Sequence, residues 1–168
     1  MLKVSLAALD RGEVRVREQV PPDDPMWEGA AVELAAPLEV DLTARSVGDG
    51  VLARGRLRTT VRLACRRCLA SVEQPVDESV DMLFDTLGPD EEEAEGEVYP
   101  LPARGDELDL REAVREQLLL RAPEFAVCRD ECRGLCPGCG ADRNQGECGC
   151  APEPAASPWD ALKSVTFD

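Results

Sequence analysis

Eight cysteines in a chain of 168 residues that has no histidine most constrain what this sequence can fold into. Six of them lie in VCRDECRGLCPGCGADRNQGECGC at 127–150, and the other two form CRRC at 65–68. The sequence shows neither a signal-peptide pattern nor a run of about 20 apolar residues, so we predict a cytoplasmic protein that does not enter a membrane. Thiols stay reduced in the cytoplasm, which favours metal binding over disulfides.

The cysteine spacing predicts two sets of four thiolates, each around one zinc ion. CPGCG at 136–140 is typical of a zinc knuckle, and two more cysteines follow it across a short, glycine-containing loop. The first predicted site consists of Cys136, Cys139, Cys148 and Cys150. The second consists of Cys65, Cys68, Cys128 and Cys132. Spacing alone leaves other partitions open, such as the CRRC pair with the CPGC pair, and an iron–sulfur cluster could use the same thiolates.

The predicted zinc is structural, because four thiolates leave no open position for water or substrate. The chain also lacks histidine, the commonest general base, and GLCPGCG has neither the lysine nor the Ser/Thr of a phosphate-binding loop. We therefore expect no enzymatic activity, no catalytic residue and no small-molecule substrate.

Alternating apolar residues predict a sheet around the CRRC turn. In VLARGRLRTTVRLAC five apolar residues occupy odd positions (Val51, Ala53, Leu57, Val61 and Leu63), whereas four arginines occupy even positions. Side chains alternate between the two faces of a strand, so this pattern places the arginines in a row on the outer face. A second alternation from Val72 to Phe84 predicts the returning strand of a hairpin.

These patterns predict an α+β fold, mainly an antiparallel β-sheet or open barrel, with one packed helix and a Cys-rich zinc-knuckle tail. The helix is expected in DLREAVREQLLLRAP, with Asp109 as its N-cap and Pro123 limiting its end. We predict a sheet domain at 1–123, with an acidic loop at 88–97, and a zinc-binding tail at 124–168. The tail is expected to end in a short helix in SPWDALKSV.

Basic charge is concentrated in one segment of an otherwise acidic chain. Residues 51–72 contain six arginines and no acid, a charge of +6. The net charge of the whole chain is −15, so the residues outside this segment carry −21. The arginines are Arg54, Arg56, Arg58, Arg62, Arg66 and Arg67. One interpretation is a phosphate-binding face for RNA. A second is pairing with the protein's own acids, for example Glu39, Asp41, Glu73, Asp77 and Glu78. A third is binding to an acidic patch on another protein.

Four motifs in a fixed order resemble the YceD-like family of large ribosomal RNA subunit accumulation proteins. They are CRRCL, the DL…E helix, C…C.GLCPGCG…N…C.C and the closing SPWDALKSV. The family pattern is carried by Cys65, Arg67, Cys68, Cys132, Gly134, Leu135, Cys136, Pro137, Cys139, Gly140 and Asn144. The resemblance implies a bacterial ribosome-biogenesis factor needed for normal accumulation of large-subunit ribosomal RNA.

The resemblance implies a process and no mechanism, so two hypotheses stand. In the first, the six arginines bind precursor ribosomal RNA, and affinity falls steeply with salt. In the second, the protein is a non-catalytic, zinc-containing acidic adaptor. Its tail and Trp159 would then hold a basic large-subunit ribosomal protein or an RNA-processing enzyme.

Overall fold

The computed structural model describes residues 2–86, 98–102 and 105–150. The predicted acidic loop at 88–97 and the predicted C-terminal helix lie outside these residues. In chain order the elements are β1 (Lys3–Ser5), α1 (Leu6–Leu9), β2 (Val14–Val20), a 3-10 turn (Pro25–Trp27), β3 (Glu33–Leu34), β4 (Leu38–Val47), β5 (Gly50–Ala64), β6 (Ser71–Asp85), β7 (Val98–Pro100), β8 (Glu107–Asp109) and α2 (Arg111–Arg121).

A mainly antiparallel sheet forms the body of the protein, as predicted. Its strands lie in the order β2–β4–β5–β6–β7, and β3 pairs with the far end of β5. All pairings are antiparallel except that of β6 with β7. A separate two-stranded sheet joins β1 to β8. The long β5–β6 hairpin is therefore central, and its turn carries CRRC.

The inner face of the sheet forms the core together with α2. On β5, Ala53, Leu57 and Val61 are almost completely buried, which confirms the inward position of the odd-numbered residues. On α2, Val114 and Leu118 are equally buried, as the apolar spacing of the helix predicted. The sheet and α2 thus share one apolar core, and the even-numbered side of β5 remains outside it.

The start of α2 lies one residue later than predicted. Leu110 occupies the N-cap position, and its side chain makes no capping hydrogen bond. Asp109 is the last residue of β8, but its carboxylate still accepts the backbone N–H of Arg111 at 2.9 Å. Asp109 therefore satisfies a free helix donor from one position further out.

Candidate metal centres and the arginine strand

The turn of the β5–β6 hairpin and the segment after α2 together form the first group of four thiols, here called the proximal cluster. It consists of Cys65, Cys68, Cys128 and Cys132, whose sulfur atoms all lie within 4.8 Å of one another. The Sγ atoms of Cys65 and Cys132 are 3.9 Å apart, and those of Cys68 and Cys128 are 3.7 Å apart. The structure thus brings together the residues of the second predicted site.

Backbone contacts hold the segment after α2 against the hairpin turn. Ala126 pairs with Cys65 in a parallel bridge, and its carbonyl accepts the N–H of Arg66 at 2.9 Å. Arg67 donates from Nη1 to the carbonyl oxygens of Asp130 and Cys132, at 2.9 and 3.1 Å. The side chain of Arg67 therefore organises the loop that presents Cys132.

The second group, here called the distal cluster, lies in the knuckle turn and the loop that follows it. It consists of Cys136, Cys139, Cys148 and Cys150, again with all sulfurs within 4.8 Å. The N–H of Gly140 donates to the carbonyl of Cys136 at 2.8 Å, and the N–H of Cys136 donates to the carbonyl of Ala141 at 2.8 Å. These bonds close the knuckle around the first two thiols, as the CPGCG pattern predicted.

Asn144 connects the two clusters. It lies in the loop of the distal cluster, yet its side-chain nitrogen donates to Sγ of Cys132 at 3.4 Å. Its side-chain oxygen accepts the N–H of Arg133 at 2.8 Å, and its own backbone N–H donates to Asp142 at 2.9 Å. A hydrogen bond to a thiolate lowers the charge density on sulfur, so the distal loop supports a ligand of the proximal cluster.

Both groups of four sulfurs are compact enough to hold a single ion. Four sulfurs at the usual Zn–S distance are about 3.8 Å apart, close to the two separations measured in the proximal cluster. A cluster of several iron atoms would need more room between its thiolates. A four-thiolate ion has no open coordination position, so it would supply structural cross-linking rather than chemistry.

Backbone N–H groups and neighbouring thiols give the cysteines of each cluster unequal pKa values before any ion binds. The backbone N–H of Cys128 lowers the pKa of Cys65 to about 6, and the backbone N–H of Cys139 lowers the pKa of Cys136 to about 6. The neighbouring Cys139 sulfur raises the pKa of Cys150 to about 12. Each cluster therefore contains a thiol that ionises readily, as a metal ligand must.

The four arginines on β5 lie in the expected row on the exposed face, but each is paired with an acid of the same protein. Arg56 and Arg58 both donate from Nε to Asp77, at 2.9 and 3.1 Å. Arg54 pairs with Asp81. Arg62 pairs with Glu33 and with Glu73, the latter at 3.3 Å. These contacts agree with the interpretation that the arginines pair with the protein's own acids.

The salt bridges also affect acidity on this face. The hydrogen bond from Arg56 lowers the pKa of Asp77, and the hydrogen bond from Arg15 lowers the pKa of Asp41. Asp41 was a predicted partner of the β5 arginines, but it pairs with Arg15 and Arg17 on β2 instead. The outer face is therefore a surface of alternating positive and negative side chains.

Sequence reasoning missed three contributors to these sites. Glu33 and Asp81 pair with the arginine row, and Phe125 lies against Arg66 with its ring centre 5.9 Å from the guanidinium carbon. The pairing of Asp81 could have been predicted from the sequence, because Asp81 occupies an outward position in the alternation of β6. Phe125 had none, since the segment between α2 and Cys128 has no periodic pattern.

Among the residues that the structure describes, no helix is both long enough and apolar enough to cross a membrane. This result fits the lack of any long apolar run in the sequence.

The chain is similar to several bacterial and plant proteins. It is 34% identical over 112 residues to an uncharacterised protein of Mycobacterium tuberculosis, covering 66% of this chain and 53% of that protein. An uncharacterised protein of Mycobacterium leprae is 30% identical over 118 residues, covering 67% and 52%. The matched part is thus about half the length of the mycobacterial relatives.

The chain is also similar to a chloroplast protein whose name describes a role in ribosomal RNA accumulation. The Arabidopsis thaliana large ribosomal RNA subunit accumulation protein YCED homolog 1 is 29% identical over 126 residues, covering 59% of this chain and 39% of that protein. No solved structure matches the chain. The model of the large ribosomal RNA subunit accumulation protein YceD family matches residues 53–166, which include both clusters and nearly all of the β5–β6 hairpin. The chain therefore belongs to the YceD family of large ribosomal RNA subunit accumulation proteins.

Proposed function

We propose that this protein is a non-catalytic, cytoplasmic factor that supports accumulation of large-subunit ribosomal RNA by binding the RNA directly. The observation that carries the proposal is the row of arginines along the exposed face of β5, in a family associated with this RNA. Guanidinium groups match phosphate oxygens in shape and charge, and a row of them along one strand can follow an RNA backbone.

The salt bridges on this face are compatible with RNA binding. All four arginines are exposed, and exposed ion pairs contribute at most about 1 kcal/mol. A guanidinium also has five N–H donors, and the contacts with Asp77 use Nε of Arg56 and Arg58 and Nη2 of Arg56, so donors on both residues stay available. A phosphate can therefore share these arginines with the carboxylates or displace them. The acids would then limit binding to RNA that makes several contacts at once.

Zinc is the ion that we propose for both clusters, in a structural role. Two sets of four thiolates at tetrahedral spacing, with no histidine and no open position, match structural zinc sites. The zinc would hold the region after α2 against the hairpin turn. That position brings the Cys-rich region next to the end of the arginine strand.

The decisive experiment is crosslinking of RNA to the protein in cells, followed by sequencing of the bound RNA. The test variant replaces Arg54, Arg56, Arg58 and Arg62 with Gln, and a second version uses Glu. We expect crosslinks in large-subunit ribosomal RNA that decrease in the Gln variant and disappear in the Glu variant. Arg11→Gln with Arg45→Gln is the matched control, because both residues are exposed and lie outside the row.

Metal content and thermal unfolding of each variant must match the wild type, so that loss of crosslinks reports loss of contact. If the wild-type protein enriches no ribosomal RNA over background, the RNA-binding proposal is wrong. Purified protein adds a second readout, because binding to phosphates must weaken as salt increases.

A second candidate function is an acidic adaptor for a basic ribosomal protein or an RNA-processing enzyme. The observation that favours it is the interleaving of acids with the arginine row, since Asp77 alone engages two of the four arginines. Such a surface suits a partner with both charges. Under this alternative, removal of residues 151–168 should affect function more than loss of the arginines. Association with one large-subunit ribosomal protein should also survive ribonuclease treatment.

A further inference from the structure

One aromatic side chain stands out beside the hairpin turn. Phe125 is 68% exposed, and the guanidinium carbon of Arg66 lies 5.9 Å from the centre of its ring. Leu69, in the same turn as Arg66, is also largely exposed. A lone exposed apolar side chain is ordinary on a protein surface, but an aromatic ring paired with a guanidinium group also has the two features that bind nucleotides.

The backbone on one side of Phe125 is firmly held. Ala126, its neighbour, is almost completely buried, forms the bridge to Cys65 and accepts the N–H of Arg66. Cys128, two residues further on, belongs to the proximal cluster. The aromatic ring is therefore presented from an ordered attachment point rather than from a free loop. This arrangement reduces the entropy lost on binding.

Arg66 also differs from the arginine row in its ion pairing. Within the described residues Arg66 makes no salt bridge, whereas Arg54, Arg56, Arg58 and Arg62 each make at least one. Arg66 lies in the turn four residues beyond Arg62, which places it at most about 13 Å further along the chain. In the part of the chain that the structure describes, a cation without an acidic partner thus lies near the end of the row, beside the exposed ring.

We propose that Phe125 and Arg66 form a stacking site for an unpaired base of the bound RNA. The base would stack on the ring of Phe125, while the guanidinium of Arg66 binds the adjacent phosphate. This inference rests on the proposed RNA binding and specifies its target as single-stranded RNA at the hairpin turn. The strand beyond would then bind the backbone of the same RNA.

The test uses fluorescence anisotropy with the full-length, metal-loaded protein. The probes are a labelled single-stranded RNA of mixed sequence and a strand of equal length in which abasic ribose phosphates replace the central nucleotides. Phe125→Leu is the main variant, because it keeps an apolar side chain and removes the aromatic face. Leu120→Ala is the matched control, since Leu120 is 69% exposed on α2.

We expect Phe125→Leu to weaken binding of the intact RNA about tenfold, in line with the usual contribution of one stacked base. Binding of the abasic strand should change little, and Leu120→Ala should bind both probes like the wild type. Phe125→Trp should restore affinity for the intact RNA, and its added indole fluorescence should be quenched on binding. Arg66→Gln should weaken binding of both probes.

Equal affinity of Phe125→Leu and wild type for the intact RNA would overturn the stacking site, as would equal losses on both probes. These outcomes differ from failure of the proposed function. If the wild type binds and the four-arginine Gln variant does not, while Phe125→Leu is unaffected, only the stacking site is wrong. If the wild type binds neither probe, both proposals are wrong. Metal content of each variant shows that the proximal cluster is intact.

Discussion

The two cysteine clusters have the same chemistry but are built in different ways. The proximal cluster joins parts of the chain that are 60 or more residues apart, and three of its four thiols are buried. The distal cluster takes all its ligands from 136–150, and only Cys136 is buried. The proximal cluster therefore depends on the folded sheet, whereas the distal cluster needs little beyond its own loop.

The proximal cluster depends on the distal loop, but the distal cluster does not depend on the hairpin for its ligands. The distal loop supplies Asn144, which donates to the sulfur of Cys132. The distal cluster draws its four ligands from its own loop and none from the hairpin. We therefore expect loss of the distal ion to weaken the proximal site, and loss of the proximal ion to leave the distal site occupied.

The largest effect is expected from Cys65→Ser, which breaks the proximal cluster at its most buried ligand. Structural zinc can contribute on the order of 10 kcal/mol, so residues 124–150 should separate from the hairpin turn. Native mass spectrometry should show one bound ion in place of two, and hydrogen exchange should increase at Arg66 and Ala126. Two retained ions would contradict the proposed ligand set.

Cys139→Ser tests the other side of the comparison, because Cys139 is an exposed ligand of the distal cluster. We expect loss of the distal ion and a free energy of unfolding for the sheet within about 0.5 kcal/mol of the wild type. The proximal ion should remain but should be removed more readily by a chelator. If Cys139→Ser unfolds the sheet, the two clusters are not as separate as the geometry indicates.

Gly134→Ala should disturb the junction between the clusters. Gly134 has φ +69°, and a Cβ there would lie 2.8 Å from the carbonyl oxygen of Arg67, which accepts the N–H of Leu135. Left-handed backbone and this contact together should destabilise the junction by roughly 2 kcal/mol. Gly146→Ala is the control, because Gly146 has an ordinary φ and nothing within 4 Å. Equal thermal stability of the two variants would contradict this prediction.

Asn144→Ala should have the smallest effect and should isolate the coupling. Removing one supporting hydrogen bond to a metal ligand typically weakens metal binding about tenfold. The proximal ion should therefore be lost at a lower chelator concentration than in the wild type, with its loss reported by faster hydrogen exchange at Arg66 and Ala126. Gln145→Ala is the control, since Gln145 contacts Asp142 but no cluster sulfur in the described residues. Equal chelator sensitivity would remove Asn144 as the link.

Local patterns were enough to predict much of the fold. Alternation gave both strands of the hairpin, and it placed Arg58 and Asp77 on the same outer face. The register Arg58↔Asp77 follows once Ala64 and Ser71 flank the turn. Spacing also favoured the grouping of thiols that the structure has, but it left other partitions open, and the fold decides between them.

The contacts that the sequence did not predict depend mainly on the path of irregular segments. No periodicity indicates that the residues after α2 return to the hairpin turn, so the contact of Phe125 with Arg66 was not foreseen. The parallel pairing of β7 with β6 likewise depends on a connection without regular pattern. Surface ion pairs are weak and local, so only the register decides which acid Arg62 meets.

The long separation between the two halves of the proximal cluster also bears on how the protein is made. Cys68 leaves the ribosome 60 residues before Cys128, which at normal translation speed is about 3 to 12 s. During that interval the nascent hairpin offers two thiols with no partners for a tetrahedral ion. A cell that makes this protein must therefore keep those thiols reduced and free of competing metals until synthesis reaches the second half of the site.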